Sequence, residues 1–384
     1  MRIAFVDIDD PEDITTWSGI PYFILQELRR QGAEVEVIAP LARPFKYLYS
    51  AHKIVSKLTG RNIQVNRRPV ALRSFASQVE RRMRGKQFDV IFSTSSIPIS
   101  RLKPGIPVLF WADAVTEAMV DYYGGAFANI GYRELCVAHA QEQAALDRAS
   151  FAIYSSNWAA EIVKDLYRSS DDMVRVIAFG ANLPIDHDLN DIIAFNEQRL
   201  RSQCNLLFIG VDWDRKGGAT AFEAAKILNE RGIKTVLKVV GGRGPDSPFV
   251  ESLGFINKNT PEGLRQIKSL LSTSTFFILP TRAEAAGIVF CEAGAFGLPA
   301  LATRTGGVGD YVIDSQTGFC LPFAADGGAY ANLIAETLAS PETYRQLSIG
   351  AFQRYKQTLN WDVGVSSLLS LVERAVKSGT HCKQ

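Results

Sequence analysis

The sequence predicts an α/β protein built as two doubly wound units in tandem. Short runs in which nearly every residue is apolar recur along the chain, as strands buried on both faces of a parallel sheet require. Segments with helical periodicity separate many of these runs, so strand–helix–strand order repeats. The alternation breaks at residues 186–203, which are polar with little strand character, and then resumes. At roughly 100–200 residues per domain, the 384 residues make two units, each able to bury its own core.

The first unit, residues 1–188, carries expected strands at 2–7, 35–39, 89–93, 108–111, 151–154 and 174–177. Helical segments at 19–31, 132–148 and 158–167 lie among them. The second unit, residues 200–357, has expected strands at 206–209, 235–240, 276–279 and 300–303, with helices at 218–231, 261–271 and near 288–296. In the final segment, 358–384, apolar residues over 360–377 recur at helical spacing. Open α/β sheets bind ligands beyond the carboxyl ends of their strands. Two such units would therefore face one ligand from opposite sides of a central cleft.

Composition narrows the function classes. The formal net charge is +2, and a near-neutral chain is not built as a nucleic-acid binder. The start, MRIAFVDIDD, has no long apolar region and no small-residue cleavage site, and no run approaches the ~20 apolar residues of a membrane span. Five cysteines without a C-x-x-C pair fit a reduced cytoplasm rather than a disulfide framework or a zinc site. From residue 43 to residue 86, twelve Lys or Arg face one acid, Glu80, and apolar residues are interleaved. A run of this kind is usually a solvated face. It is also the expected contact for an anionic acceptor, or for the inner face of an anionic membrane approached peripherally.

The stretch PTRAEAAGIVFCEAGAFGLPALATRTGGVGD, residues 280–310, carries the most chemistry. A strand ends at Pro280, a loop bears Glu284, and Gly287 opens a helix with Glu292 about one turn in. Amides near Gly287, Ile288 and Val289 would lack intrahelical partners there, which suits an anion such as a diphosphate. The glycine admits the phosphate close to the backbone, and the carboxylates can accept hydrogen bonds from sugar hydroxyls. Two glutamates at this spacing also fit an ordinary βα unit. A second loop, FIGVDWDRKGG at residues 208–218, sets Arg215 and Lys216 at a helix start, where positive charge favours phosphate. Asp7-x-Asp9 and Asp212-x-Asp214 mimic a metal motif, but the pattern is short and common. No G-x-G-x-x-G follows the first strand, against a dinucleotide-binding dehydrogenase.

Residues 280–310 resemble the E-x7-E region of glycosyltransferase family 4: Glu284 and Glu292 match its glutamates, and Gly287, Ala293, Gly297 and Pro299 its framework. Gly306-Gly307 and DSQTGF at residues 314–319 resemble the continuation. The second loop resembles the family's F-V-G-R-x-x-x-x-K-G, with Lys216 on the lysine, Val211 where arginine is usual, and Arg215 as the substitute. Ala285-Ala286 and Asp310 are further departures from the usual Gly-Phe and Glu. VGGRGP, with Gly241 and Gly242, resembles a nucleotide-side loop; Gly19 falls on the first βα turn; and Asp113, in VLFWADAV, falls where the family often places His or Asp near the substrates. Glu142 also lies on a family pattern, in a structural role.

The resemblance implies the GT-B fold: two Rossmann-like domains facing a cleft, with a C-terminal helix crossing back to the first. It implies transfer from a nucleoside-diphosphate sugar, commonly of uridine, with retention of configuration. Lys216 and Arg215 would clamp the diphosphate, Glu284 the sugar and Glu292 the ribose, with no metal and no cofactor. The acceptor, a carbohydrate or a lipid-linked one, would sit in the N-terminal half. A nucleotide-sugar epimerase and a non-catalytic sugar-nucleotide-binding subunit remain alternatives.

Overall fold

The computed structural model describes residues 1–44, 62–103 and 105–381. Two units emerge: Met1–Ile177 together with the chain from Trp361 onward, and Ala178–Asn360. The division falls between Ile177 and Ala178 rather than near residue 188, because residues 186–203 are not a linker. They hold a helix, Leu189–Arg201, closed at its start by a capping box between Asp188 and Asp191.

The first unit is a sheet of β1 (Arg2–Val6), β2 (Glu34–Ile38), β3 (Val90–Ser93), β4 (Val108–Ala112), β5 (Phe151–Tyr154) and β6 (Val174–Val176), in the order β2-β1-β3-β4-β5-β6. Every pairing is parallel. The central strands β3 and β5 are buried throughout, whereas edge strand β2 alternates outward-facing glutamates that pair with Arg2 and Lys86. The helix Ile20–Arg30 buries Ile20, Ile24, Leu25 and Leu28, a stripe of helical period. The C-terminal helix Trp361–His381 packs on it and belongs to this unit. Val365, Leu368, Val372 and Ala375 are its buried stripe, Trp361 meets Trp111 edge-on at 5.8 Å, and Asp362 pairs with Arg30.

The second unit is a sheet of β7 (Cys204–Gly210), β8 (Thr235–Gly241), β9 (Val250–Gly254), β10 (Phe276–Leu279), β11 (Ala300–Thr303) and β12 (Gly318–Leu321), in the order β12-β11-β10-β7-β8-β9, again parallel. Strands β9 and β12 escape the sequence reading. β9 is an exposed edge with the polar run VESLG. β12 is short and opens on Gly318, where a Cβ would lie 2.0 Å from the Ala300 carbonyl oxygen.

Arg199 is the least expected core residue. It is 1% exposed, and its guanidinium donates to the carbonyls of Leu271, Ser272, Phe296 and Gly297 at 2.8–2.9 Å. These carbonyls lie at the ends of helices Pro261–Thr273 and Ile288–Ala295, where intrahelical donors run out. A cation there also complements both helix dipoles.

Part of the basic stretch, residues 45–61, lies outside the described residues. In the rest, Arg43 pairs with Asp9, Arg67 with Glu142, Arg68 with Glu134 and Lys86 with Glu36. These cations are therefore already neutralised locally. No helix among the described residues is long and apolar enough to cross a membrane.

Candidate functional site

In the first unit the chain leaves β1 to β2 on one side, returns, and adds β3 on the other; in the second it leaves β7 through β8 to β9, returns, and adds β10 on the other side of β7. Such a reversal opens a crevice at the carboxyl ends of the two flanking strands. In the second unit these strands are β7 and β10, and the loops that follow them carry the residues singled out in the sequence.

The loop after β7 folds tightly on itself: Lys216 N–H donates to Asp212 O at 3.0 Å and Gly218 N–H to Trp213 O at 2.8 Å. Gly217 has φ +76°, and a Cβ on it would meet the Pro280 carbonyl oxygen at 1.9 Å. Glycine is thus required for this loop to press against the end of β10. Arg282 N–H completes the clasp by donating to Arg215 O at 2.7 Å. The clasp brings the Lys216 ammonium onto the Glu284 carboxylate. Both side chains are largely buried, at 13% and 6% exposure, so the pair is only weakly screened by water.

Glu292 lies in the helix Ile288–Ala295 and is 3% exposed. Lys258, from the loop after β9, donates to it at 2.5 Å. Gly287 precedes this helix; a Cβ there would strike the Phe290 ring at 2.2 Å. Ile288 and Val289 provide the first amides of the helix, which have no carbonyl one turn back to bond. Gly241, with φ +91°, and Gly242 end β8, and a Cβ on either would come within 3.0–3.1 Å of Gly210. Their smallness is needed to seat β8 against β7, whatever else they contact.

Lys216, Glu284, Glu292, Gly287, Ile288, Val289, Gly241 and Gly242 thus all stand at the carboxyl end of one sheet. Arg215 stands there too, but it braces the loop: its guanidinium donates to Ala283 O at 2.9 Å and lies 3.4 Å from Asp212. Val211, in the usual arginine position, is 74% exposed. Sequence reasoning missed Lys258, because no motif marks it and its strand was not legible.

Gly19 and Asp113 belong to the first unit. Gly19, φ +88°, begins the helix Ile20–Arg30. Asp113 follows β4, accepts from Ala114 N–H at 2.8 Å and lines a cavity of about 270 Å³. Asp7 and Thr94, at the ends of β1 and β3, line the same cavity, which makes it this unit's own switch-point crevice. Asp7 Oδ1 accepts from Ile8 N–H at 2.6 Å, and Oδ2 accepts from the Thr94 hydroxyl. Burial lifts its pKa from 3.8 to about 6, the hydrogen bonds only partly opposing the rise. Glu142 is buried against Arg67 at 2.7 Å. No group of three or more metal-ligating side chains occurs among the described residues.

Two family models match consecutive parts of the chain: "Glycosyltransferase Family 4" over residues 22–183 and "Glycosyl transferases group 1" over residues 193–354. The chain belongs to the GT-B glycosyltransferases of family 4 type. Among its relatives is the D-inositol 3-phosphate glycosyltransferase of Gordonia bronchialis, 26% identical over 253 residues. That alignment takes in 62% of this chain but spans just over half, 55%, of the relative. Among solved structures, the family 4 chain is similar to a sucrose-phosphate synthase from Thermosynechococcus elongatus, with a TM-score of 0.68, 18% identity, and 98% and 100% of the two chains covered. It is likewise similar to Anabaena HepE in complex with UDP and glucose, with a TM-score of 0.61, 16% identity, and coverage of 96% and 99%. At these identities the two structures bear on the fold, which is the two-domain GT-B fold with each unit Rossmann-like.

Proposed function

We propose that this chain is a retaining glycosyltransferase that moves a sugar from a nucleoside-diphosphate donor, uridine being the first base to test, without a metal. The Lys216–Glu284 pair at the β7–β10 crevice carries this reading. An ammonium beside a carboxylate there can serve the two halves of a donor at once. Lys216 faces the diphosphate, whose charge grows as the bond from the anomeric carbon to the phosphate oxygen breaks. Glu284 accepts hydrogen bonds from the sugar hydroxyls. The first amides of the helix Ile288–Ala295 add fixed dipoles on the phosphate side. Glu292 receives the ribose hydroxyls, sharing or exchanging its bond to Lys258.

The acceptor hydroxyl attacks the anomeric carbon from the face the diphosphate leaves, and its proton passes to the departing phosphate oxygen. Retention then needs no covalent intermediate. HepE, similar in fold and solved with UDP and glucose, supports the donor class, and the match of Lys216, Glu284 and Glu292 to the family motifs supports the roles. The acceptor is proposed to be a carbohydrate or lipid-linked carbohydrate held by the first unit. Binding to an anionic membrane through residues 43–86 is a further part of the proposal. Salt-insensitive failure to pellet with anionic liposomes would remove that part alone.

The test is a thermal-shift screen of UDP-, GDP- and ADP-sugars. A donor at a hundredfold excess over its dissociation constant stabilises by about 2.7 kcal/mol. One base class should shift the wild type and neither Lys216→Ala nor Glu292→Ala. A well-folded protein that no donor shifts would overturn the reading, and isomerisation of the donor without acceptor would convert it to an epimerase.

A further inference from the structure

We propose that Lys258 is a positioning residue of the donor site: it offsets the buried charge of Glu292 through Oε1 and leaves Oε2 to the ribose. The ribose rests on the glycosyltransferase reading above. The pairing and the open oxygen rest on the geometry alone.

Lys258 stands where it does because the chain is fixed on both sides of it. Gly254, with φ +68°, closes β9, and Ile256 is buried in the core of the second unit. Asn257 then folds the next turn on itself. Its Oδ1 accepts from Asn259 N–H at 3.1 Å, and its carbonyl accepts from Thr260 N–H at 3.1 Å and from the Thr260 hydroxyl at 2.9 Å. Thr260 in turn caps the helix Pro261–Thr273, accepting from Gly263 N–H at 3.2 Å. A Cβ on Gly263 would lie 2.1 Å from the Asn257 carbonyl oxygen, so a glycine lets the helix start press on this turn. The Lys258 backbone is thus held between a core anchor and a helix cap.

Glu292 is 3% exposed. Among the described residues, which include the whole second unit, Lys258 is its one hydrogen-bond and ion-pair partner. Arg354, on the helix Pro341–Gln357 packed against that of Glu292, donates instead to the Asp310 carbonyl at 2.8 Å. A buried charge that loses its partner is left uncompensated, so the carboxylate depends on this lysine. The ammonium meets Oε1 at 2.5 Å. Oε2 has no hydrogen-bond partner among the described residues, yet it is not one of the polar atoms sealed from solvent. It is an acceptor held open at the carboxyl end of the sheet.

Ribose hydroxyls donate to a carboxylate through charge-assisted hydrogen bonds, roughly twice as strong as neutral ones. Such bonds need both charge and direction. The ammonium offsets the charge, and its bond to Oε1 restrains rotation of the carboxylate, so that Oε2 faces the hydroxyls. Lys258 acts through Glu292 and makes no contact with the donor. An arginine can form the same charged bond, whereas a methionine keeps the apolar stem and loses the charge.

The experiment measures dissociation constants by calorimetry on the full chain for UDP, GDP and ADP and for the 2′,3′-dideoxy form of each. The nucleotide that binds should do so about tenfold or more tightly than its dideoxy form. Lys258→Met should narrow that gap to about threefold or less and leave the dideoxy affinity unchanged, which also shows the site to be folded. Lys258→Arg should restore the gap. Glu292→Gln should narrow it as Lys258→Met does, and the double variant no further than either alone. Equal weakening of both forms in Lys258→Met would place the lysine on the phosphates or in the fold and overturn the proposal. Tighter binding of the ribose form would mean that the ribose displaces the lysine, and an unchanged gap that the lysine is idle; either overturns it. A wild type that binds a nucleotide and its dideoxy form alike would overturn it and leave the donor reading standing. A wild type that binds no nucleotide would strike the donor reading and this proposal together.

Discussion

The two units share a reversal of strand order beside their first strand, within sheets of different order, and arm it with different chemistry. In the first, β1 lies between β2 and β3; in the second, β7 lies between β8 and β10; in each, the crevice opens where the chain reverses. In the second unit that crevice holds the Lys216–Glu284 ion pair beside the start of a helix whose first amides have no carbonyl one turn back to bond. In the first unit the equivalent place holds Asp7, bound to Thr94, in a wall where carboxylates outnumber guanidiniums. Backbone architecture supplies a crevice in both cases. The few residues that immediately follow the strands decide which ligand it suits.

The sharpest way to break this comparison is to destabilise the second unit from within its core. Arg199→Leu strands four helix-end carbonyls in the core. Its expected cost is about 3–5 kcal/mol. Chemical denaturation should show it, with loss of nucleotide binding. Retained stability would mean that the carbonyls find other donors.

Next is the charge itself. Lys216→Ala should lower turnover about 10²–10³-fold, the effect of deleting one donor aimed at developing charge. Equal losses in kcat and kcat/KM would place Lys216 on the transition state; a rise in KM alone would place it in ground-state binding.

In the first unit the counterpart is Asp7. Its native pKa of about 6 exceeds the unfolded 3.8, so the folded chain binds more protons between those values. Asp7's contribution to stability is therefore greatest below pH ~4 and is lost as pH rises through about 6, by on the order of 3 kcal/mol in all. Asp7→Asn should abolish that slope, stabilising the protein relative to wild type at pH 8 but not at pH 4. Parallel melting curves across pH would show Asp7 to be better solvated than its burial suggests.

The smallest expected effect returns to the second unit. Gly287→Ala forces Phe290 aside and should cost about 1–3 kcal/mol. Donor affinity should fall by more than stability alone predicts if the helix start touches phosphate.

Much of this was legible in one dimension. The runs IAFV, VIFS, FAIY and FFIL are apolar on every residue but the closing serine and tyrosine, so central strands declare themselves. Edge strands β9 and β12 do not: β9 is largely exposed with a polar run, and β12 is four residues long and opens on a glycine. Glu284, Glu292 and Lys216 stood out by motif, and they do gather at one sheet end. Arg215 was legible as charge but not as a loop brace, since its partner, Ala283 O, is a main-chain atom of a distant segment.

By itself, then, the sequence determined the alternation of strands and helices, the doubling of the unit, and the identity of the carboxylates and lysine at the ends of strands. Local periodicity and turn residues are properties of adjacent positions, and adjacent positions are what a sequence records. Only the tertiary structure decided that Lys258 reaches Glu292, that residues 189–201 form a core helix around Arg199, and that Asp7 carries a raised pKa. Each of those depends on groups between 34 and about 100 positions away, and on the low-dielectric surroundings that only a packed sheet creates.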